Sequence, residues 1–172
     1  MRKWNFCAGP AVISEHVLAE VKEELLEWGD SGMSIMEMSH RSSIYDEVAT
    51  TAKQDFIDLL NIPDSHDVLF LQGGATQQFA TVPMNFGHVK KKADYVLSGT
   101  WSKKAISEAS KILEVNTIAS SEDKNFSYAP DPKNWNISEE SAYVHYCPNE
   151  TIQGVAIHNI PDLEKPLVAD MS

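Results

Sequence analysis

Asp170 closes a short apolar run, Leu167-Val168-Ala169. A carboxylate at the end of such a run can hold a cation or a protonated ring nitrogen. It can equally cap whatever helix follows. Gly73-Gly74-Ala75-Thr76 follows another apolar run, Val68-Leu69-Phe70-Leu71. Paired glycines let the backbone approach a ligand closely. A helix starting there offers unpaired N–H groups and the positive end of a dipole, which together cradle a phosphate. A plain tight turn is the competing reading, since neither GxxxxGK[ST] nor GxGxxG is present. Trp101 comes soon after Tyr95-Val96-Leu97, where its indole can stack on a flat ring or pack into the core. Thr151, in Asn149-Glu150-Thr151, can hydrogen-bond a ligand oxygen. The same triplet fits the N-glycosylation pattern, which nothing pointing to secretion supports. Arg41, in Ser39-His40-Arg41-Ser42, can grip a carboxylate bidentately. The alternative is an ordinary surface arginine, for which a helix start is a mildly unfavourable place.

One ligand and its substrate would use all of these at once. Pyridoxal 5′-phosphate carries a phosphate, a flat aromatic ring and a protonated ring nitrogen, and a carboxylate-bearing substrate would occupy the arginine. An Asp against the ring nitrogen keeps it protonated and makes the ring an electron sink.

These residues need a scaffold that gathers them. Ser14 to Trp28 reads as a helix, with Val17, Leu18, Val21, Leu25, Leu26 and Trp28 at helical spacing, Ser14 as N-cap and Gly29 to Gly32 as its end. Ser31–Ser43 is too rich in Ser to be core helix, and Ser43 to Leu60 reads as a second helix, stopped by Asn61-Ile62-Pro63. Strands are predicted at Val68 to Leu71, Tyr95 to Leu97, Val115 to Ala119, Ala142 to Tyr146, Val155 to Ile157 and Leu167 to Ala169. Helices are predicted at Gln77 to Asn85, shortened or kinked by Pro83, and at Ser102 to Leu113. Ser120 to Glu140 is looser, and Pro161 and Pro166 bracket a loop. Strand alternating with helix predicts an α/β fold, a mostly parallel sheet with helices on both faces. Ligands of such sheets sit beyond the carboxyl ends of the strands, where Gly73–Thr76, Trp101, Thr151 and Asp170 fall.

Composition narrows the partners. The chain has 172 residues, 42% hydrophobic, enough to bury a core. Lys and Arg number 14 against 25 Asp and Glu, a net charge of −11. That average field repels nucleic acid and anionic membranes, and leaves small-molecule chemistry open. Cys7 and Cys147 lie far apart without metal-type spacing, which reads as a reduced cytoplasmic protein with no metal site. No apolar stretch approaches the roughly 18 residues of a membrane span, and MRKWNFCAGP lacks the apolar run of a secretory signal.

Several segments then carry a resemblance to a known family. Asn5-Phe6-Cys7-Ala8-Gly9-Pro10, Met36-Glu37-Met38-Ser39-His40-Arg41-Ser42, Leu69 through Phe79 with Val82-Pro83-Met84-Asn85, Ala93-Asp94-Tyr95-Val96 through Trp101, His145 through Gly154, and Val168-Ala169-Asp170-Met171-Ser172 occur in the order found in the phosphoserine aminotransferases. These are fold-type I, aspartate-aminotransferase-like enzymes that depend on pyridoxal phosphate. The resemblance implies that Arg41 binds the substrate α-carboxylate with His40 beside it. The backbone at Ala75 and Thr76 would hold the coenzyme phosphate, Trp101 would stack on the pyridine ring, Thr151 would lie near the phenolic oxygen, and Asp170 would pair with the ring nitrogen. It implies transfer of the amino group of glutamate to 3-phosphohydroxypyruvate, giving O-phosphoserine and 2-oxoglutarate in serine biosynthesis, with a parallel step in pyridoxine biosynthesis in bacteria. A cytoplasmic homodimer is the implied assembly.

Two departures follow from the same comparison. Many relatives carry an Arg where this chain has Thr76, so recognition of the substrate phosphate is expected elsewhere. The family's Schiff-base lysine follows the Asp strand by about one βα unit, beyond Ser172. The 172 residues therefore read as the truncated first part of the large domain, with residues 1–15 joining a small domain and 16–172 belonging to the coenzyme domain, and are expected to be inactive alone. The rival readings are another aminotransferase or a cysteine desulfurase of the same fold, and a coenzyme-holding module without chemistry.

Overall fold

The computed structural model describes residues 2–159 and 162–172; Pro161, one of the two prolines expected to bracket a loop, lies outside the described residues. The chain divides into two units, Met1–Phe70 and Leu71–Ser172.

The first unit is built on two helices. Helix α1 spans Glu15–Glu24, opened by Ser14 through its backbone carbonyl, which accepts from Leu18 N–H at 3.1 Å. It stops before the expected Trp28 because Trp28 is used differently: its N–H donates to Met33 O and its carbonyl accepts from Ser31 N–H, closing a turn. Ser34 and Glu37 then form a capping box around a single 3₁₀ turn, which explains the order of this Ser- and Met-rich segment. Helix α2 covers Ser43–Leu60, as expected. The Ser42 hydroxyl accepts from Tyr45 N–H at 3.3 Å. Asn61 ends the helix in the left-handed region, φ 50°, which Asn tolerates better than most residues, and Ile62 N–H returns to Ile57 O. Neither helix buries a residue fully; Val21, Leu25, Phe56 and Leu59 are all exposed.

The second unit is an α/β sheet. Helix α3 (Gly74–Phe86) leads to strand β1 (Lys92–Leu97), helix α4 (Thr100–Ala109) and strand β2 (Glu114–Ser120). Strand β3 (Val144–Tyr146), the two-residue strands β4 (Asn149–Glu150) and β5 (Val155–Ala156), and strand β6 (Leu167–Ala169) complete it. The sheet runs β2-β1-β3-β6, with every neighbouring pair parallel; β4 and β5 form a separate antiparallel hairpin. Side chains alternate across the sheet with period two. Tyr95 and Tyr143 face a cluster with Phe79, Ala105, Ala109 and Leu113, while Val96, Val144 and Tyr146 face one with Ile118, Trp135 and Ile157. Helices α3 and α4 supply the first cluster, and the irregular chain carrying Trp135 supplies part of the second.

One expected strand is corrected. Val68 to Leu71 joins no ladder, and Leu69, Phe70 and Leu71 are exposed. Apolar character does not make a strand without a neighbour to bond, and none stands beside this run among the described residues. Helix boundaries also shift. α3 starts at Gly74 because Gly73, at φ 92°, takes a left-handed cap; a Cβ there would overlap the folded-back side chain of Gln77. α4 ends at Ala109, where Ser110 and Ile112 turn the chain back onto Ile106 and Ala109. Pro83 sits inside α3 without ending it. No described helix is long and apolar enough to cross a membrane.

The core holds one tightly satisfied polar pair. The hydroxyls of Tyr95 and Tyr143 meet at 2.6 Å with both residues buried, and burial pushes both phenols up from their ordinary pKa. Tyr143→Phe leaves the Tyr95 hydroxyl unpartnered and is expected to cost about 1–3 kcal/mol in chemical denaturation. The double variant Tyr95→Phe, Tyr143→Phe should be more stable than that single variant, and a double variant that loses the sum of two singles would show the pair is not coupled.

Candidate functional site

Two helices of the second unit begin beside Gly-containing turns, and their first turns are used differently. At α4 the free N–H groups are filled from within the protein. Glu150, fully buried, accepts Trp101 N–H on Oε2 at 2.9 Å and Ser102 N–H on Oε1 at 2.9 Å, and the Ser98 hydroxyl donates to Oε1 at 3.4 Å. Gln153 accepts Thr100 N–H at 3.2 Å and donates to the Thr100 hydroxyl at 2.7 Å. Gly99 is required by this approach: a Cβ there would stand 2.5 Å from the Glu150 carboxyl carbon and 2.7 Å from Gln153 Oε1. At α3 no side chain caps the helix, and among the described residues the N–H groups of Gly74, Ala75 and Thr76 meet no acceptor. The expected phosphate position therefore keeps its donors free.

Ala75 and Asp170 line one cavity of about 340 Å³, together with Phe79, His145, Val168 and Ser172. The parallel register explains the grouping. His145 stands opposite Val168 and Tyr146 opposite Ala169, and Asp170 N–H continues the ladder onto Tyr146 O at 3.1 Å. Asp170 Oδ1 accepts from Ser172 N–H at 3.2 Å, so the local capping role foreseen for this residue engages one oxygen. The Cys147 thiol lies 3.7 Å from Oδ2. Burial pushes that thiol's pKa up, with the charges of Glu150 and Asp170 adding to it, so the sulfur keeps its proton and can donate it to Asp170.

His145 is 3% exposed, stacked on Tyr95 with ring centroids 4.7 Å apart and edge-on to Phe79. Its Nδ1 is buried without a hydrogen-bond partner among the described residues. Trp101 and Thr151 form a second group: the indole N–H donates to Thr151 Oγ1 at 2.8 Å, and Lys104 Nζ lies 4.6 Å from the ring centroid. Neither residue lines the Ala75–Asp170 cavity, and Thr76 is exposed beside it in sequence. Arg41 and His40 belong to the first unit and are both exposed. The Ser39 hydroxyl accepts Arg41 N–H at 3.2 Å, just ahead of the Ser42 cap of α2. Of the chain's two arginines, Arg2 pairs with Glu15, while Arg41 has no carboxylate within 4.0 Å among the described residues.

Three residues here escape a reading by position. His145, Glu150 and Gln153 lie in one motif, but their roles depend on partners 50 or so positions away.

Comparison with known proteins places this geometry. Residues 3–169 match the family described as aminotransferase class-V, and the chain belongs to that family. It is 52% identical over 172 residues to the phosphoserine aminotransferase of Hahella chejuensis, covering 99% of this chain and 48% of that protein. The solved phosphoserine aminotransferase of Bacillus circulans subsp. alkalophilus superposes with a TM-score of 0.95 at 41% identity, covering 99% of this chain and 48% of the other. The PLP-bound phosphoserine aminotransferase of Trichomonas vaginalis gives a TM-score of 0.89 at 37% identity, with the same coverage of 99% and 48%. The chain spans about half the length of the curated relatives it matches.

Burial lowers the His145 pKa from the ordinary 6.5 to about 4, against an opposing pull from Asp170, so the imidazole is neutral in the folded protein. Between those values the unfolded chain takes up a proton that the folded chain refuses. The stability this residue contributes is thus present above pH 6.5 and lost as pH falls through about 4, by about 3 kcal/mol in all. His145→Gln is expected to flatten that part of the stability–pH curve relative to the parent protein; an unchanged slope would mean the imidazole does not titrate there.

Proposed function

We propose that the protein carrying this chain is a phosphoserine aminotransferase, using pyridoxal 5′-phosphate to move the amino group of glutamate onto 3-phosphohydroxypyruvate. The observation that carries this reading is a single cavity lined both by Ala75, in the uncapped first turn of α3, and by Asp170. Those are the two ends of one ligand: a phosphate for the N–H groups and a protonated ring nitrogen for the carboxylate. The donor set fits the coenzyme. When bound, the coenzyme supplies an electron sink for the bond changes at the substrate's α-carbon.

The chain's own residues hold and orient. Asp170 would pair with the ring nitrogen, its carboxylate oriented by Ser172 N–H on Oδ1 and the Cys147 thiol on Oδ2. The α3 start donates to the phosphate, with Ala75 and Thr76 as the donors. Trp101, its indole N–H fixed by Thr151, would stack on the ring, and Thr151 would lie near the phenolic oxygen. Arg41, unpaired and exposed, takes the substrate α-carboxylate with His40 beside it. Arg41 and Arg2 are the chain's only arginines, so no arginine of the α3 loop takes the substrate phosphate. No base for the proton transfer is assigned to the described residues, and the 172 residues alone are expected to be inactive. Residues 1–15 join the small domain and 16–172 the coenzyme domain in this reading. The same resemblance carries a cytoplasmic location, a homodimer and a part in serine biosynthesis, with pyridoxine biosynthesis as a parallel use.

The intact protein is expected to convert glutamate and 3-phosphohydroxypyruvate to 2-oxoglutarate and O-phosphoserine in a coupled assay. Turnover of unphosphorylated oxo acids or of cysteine in preference would overturn the assignment. Arg41→Lys exchanges a planar fork for a point charge and is expected to lower kcat/KM about 30- to 100-fold, a loss of roughly 2–3 kcal/mol. Asp170→Ala should abolish turnover while leaving the protein folded by circular dichroism.

A further inference from the structure

Three consecutive residues at the start of α4 are tied to one short stretch of the hairpin. Thr100 is held by Gln153 through two hydrogen bonds, Trp101 by Glu150 through its backbone and by Thr151 through its indole, and Ser102 by Glu150. Both ends of the Trp101 residue, main chain and ring nitrogen, are therefore anchored by adjacent residues, Glu150 and Thr151. The β4–β5 hairpin fixes these through the pairing of Glu150 with Val155. Inside the turn, the Ser102 hydroxyl accepts the N–H groups of Ser98 and Gly99, each at 2.9 Å.

A buried carboxylate is a costly way to cap a helix unless its place is worth specifying. An exposed Ser or Asp at the position of Gly99 would satisfy the same N–H groups locally. Gly99 instead leaves room for a group delivered from about 50 residues away, and what that group fixes is the direction of the first turn, which carries Trp101.

We propose that Glu150 is a positioning residue for the Trp101 indole, setting the first turn of α4 so that the ring and the Thr151 hydroxyl are in place before a ligand arrives. This rests on Trp101 being the residue that stacks on the coenzyme ring. Glu150 does not touch the ligand; it acts through Trp101.

A double-mutant cycle on the intact apoprotein separates this from a general structural role. Pyridoxal 5′-phosphate affinity is measured by titration for the parent, Glu150→Gln, Trp101→Phe and the double variant, with thermal midpoints and near-ultraviolet circular dichroism of the apo forms alongside. The amide puts a donor against N–H donors, so Glu150→Gln is expected to weaken binding about tenfold and to change the apo dichroism. In the Trp101→Phe background the further loss should be less than about twofold, because the indole it orients is gone. Equal losses in both backgrounds would mean Glu150 acts on the fold at large and would overturn the proposal. Trp101→Phe weakening binding while Glu150→Gln does not would overturn it as well and leave the stacking role standing. A silent Trp101→Phe would remove the stacking role and this proposal together. Should Glu150→Gln not fold, Ser98→Ala, which removes only the hydroxyl donated to Glu150, enters the same cycle. Its expected loss is about threefold, confined to the background that retains Trp101.

Discussion

The second unit depends on a carboxylate removed from water. Glu150 has no exposed surface, and every hydrogen bond its carboxylate makes among the described residues reaches across some 50 residues of chain to the Ser98–Ser102 turn. A buried carboxylate without donors would be expelled or neutralised. Here the α4 start supplies two backbone N–H groups and the positive end of a helix dipole, so the two costs offset each other. The constraint propagates outward. It excludes a Cβ at Gly99, brings Gln153 onto Thr100 and sets the Thr151 hydroxyl against the indole N–H of Trp101. It also links the end of β1 to the β4–β5 hairpin, two segments that are not neighbours in any ladder.

Parallel pairing does the rest. Because β3 and β6 run the same way in register, the residues after them emerge at the same edge, and Cys147 meets Asp170 as a consequence. The two-residue period then sorts the strand β3 side chains: His145 to the α3 side with Phe79, and Val144 and Tyr146 to the other. The His145 ring packs against aromatic rings, and its buried Nδ1 has no hydrogen-bond partner among the described residues, which is why burial dominates its proton affinity.

Much of this was legible along the chain, and the exceptions share a cause. Helix α2 was bounded correctly because both of its ends are local chemistry, the Ser42 hydroxyl and the left-handed Asn61. The parallel α/β class followed from alternation of periods, and Ala75 and Asp170 from their places after apolar runs. Val68–Leu71 was misread because a strand needs a partner that apolar composition does not provide. The helix expected from Gln77 begins three residues earlier, because Gly73 serves as the left-handed cap and Gly74 as the first helical residue. The role of Glu150 is not legible in the sequence, since a cap that comes from a distant hairpin leaves no trace in the residues beside the helix it caps.

The same distinction bears on how so acidic a chain can bind an anion. At a net charge of −11 the average field opposes a phosphate, so attraction must come from donors at contact range. Among the described residues two helix starts of the second unit follow glycine turns, and in one of them an internal anion already occupies the amide groups. A phosphate competing for α4 would have to displace the buried Glu150 carboxylate from the donors it now occupies. The α3 start carries no such occupant, and its neighbours Thr76, Gln77 and Gln78 carry no charge to repel a phosphate. With one helix terminus filled from within, the α3 start is the one of the two whose first N–H groups meet no acceptor among the described residues. The filled terminus is left to hold an aromatic ring, a task for which rigidity counts more than charge.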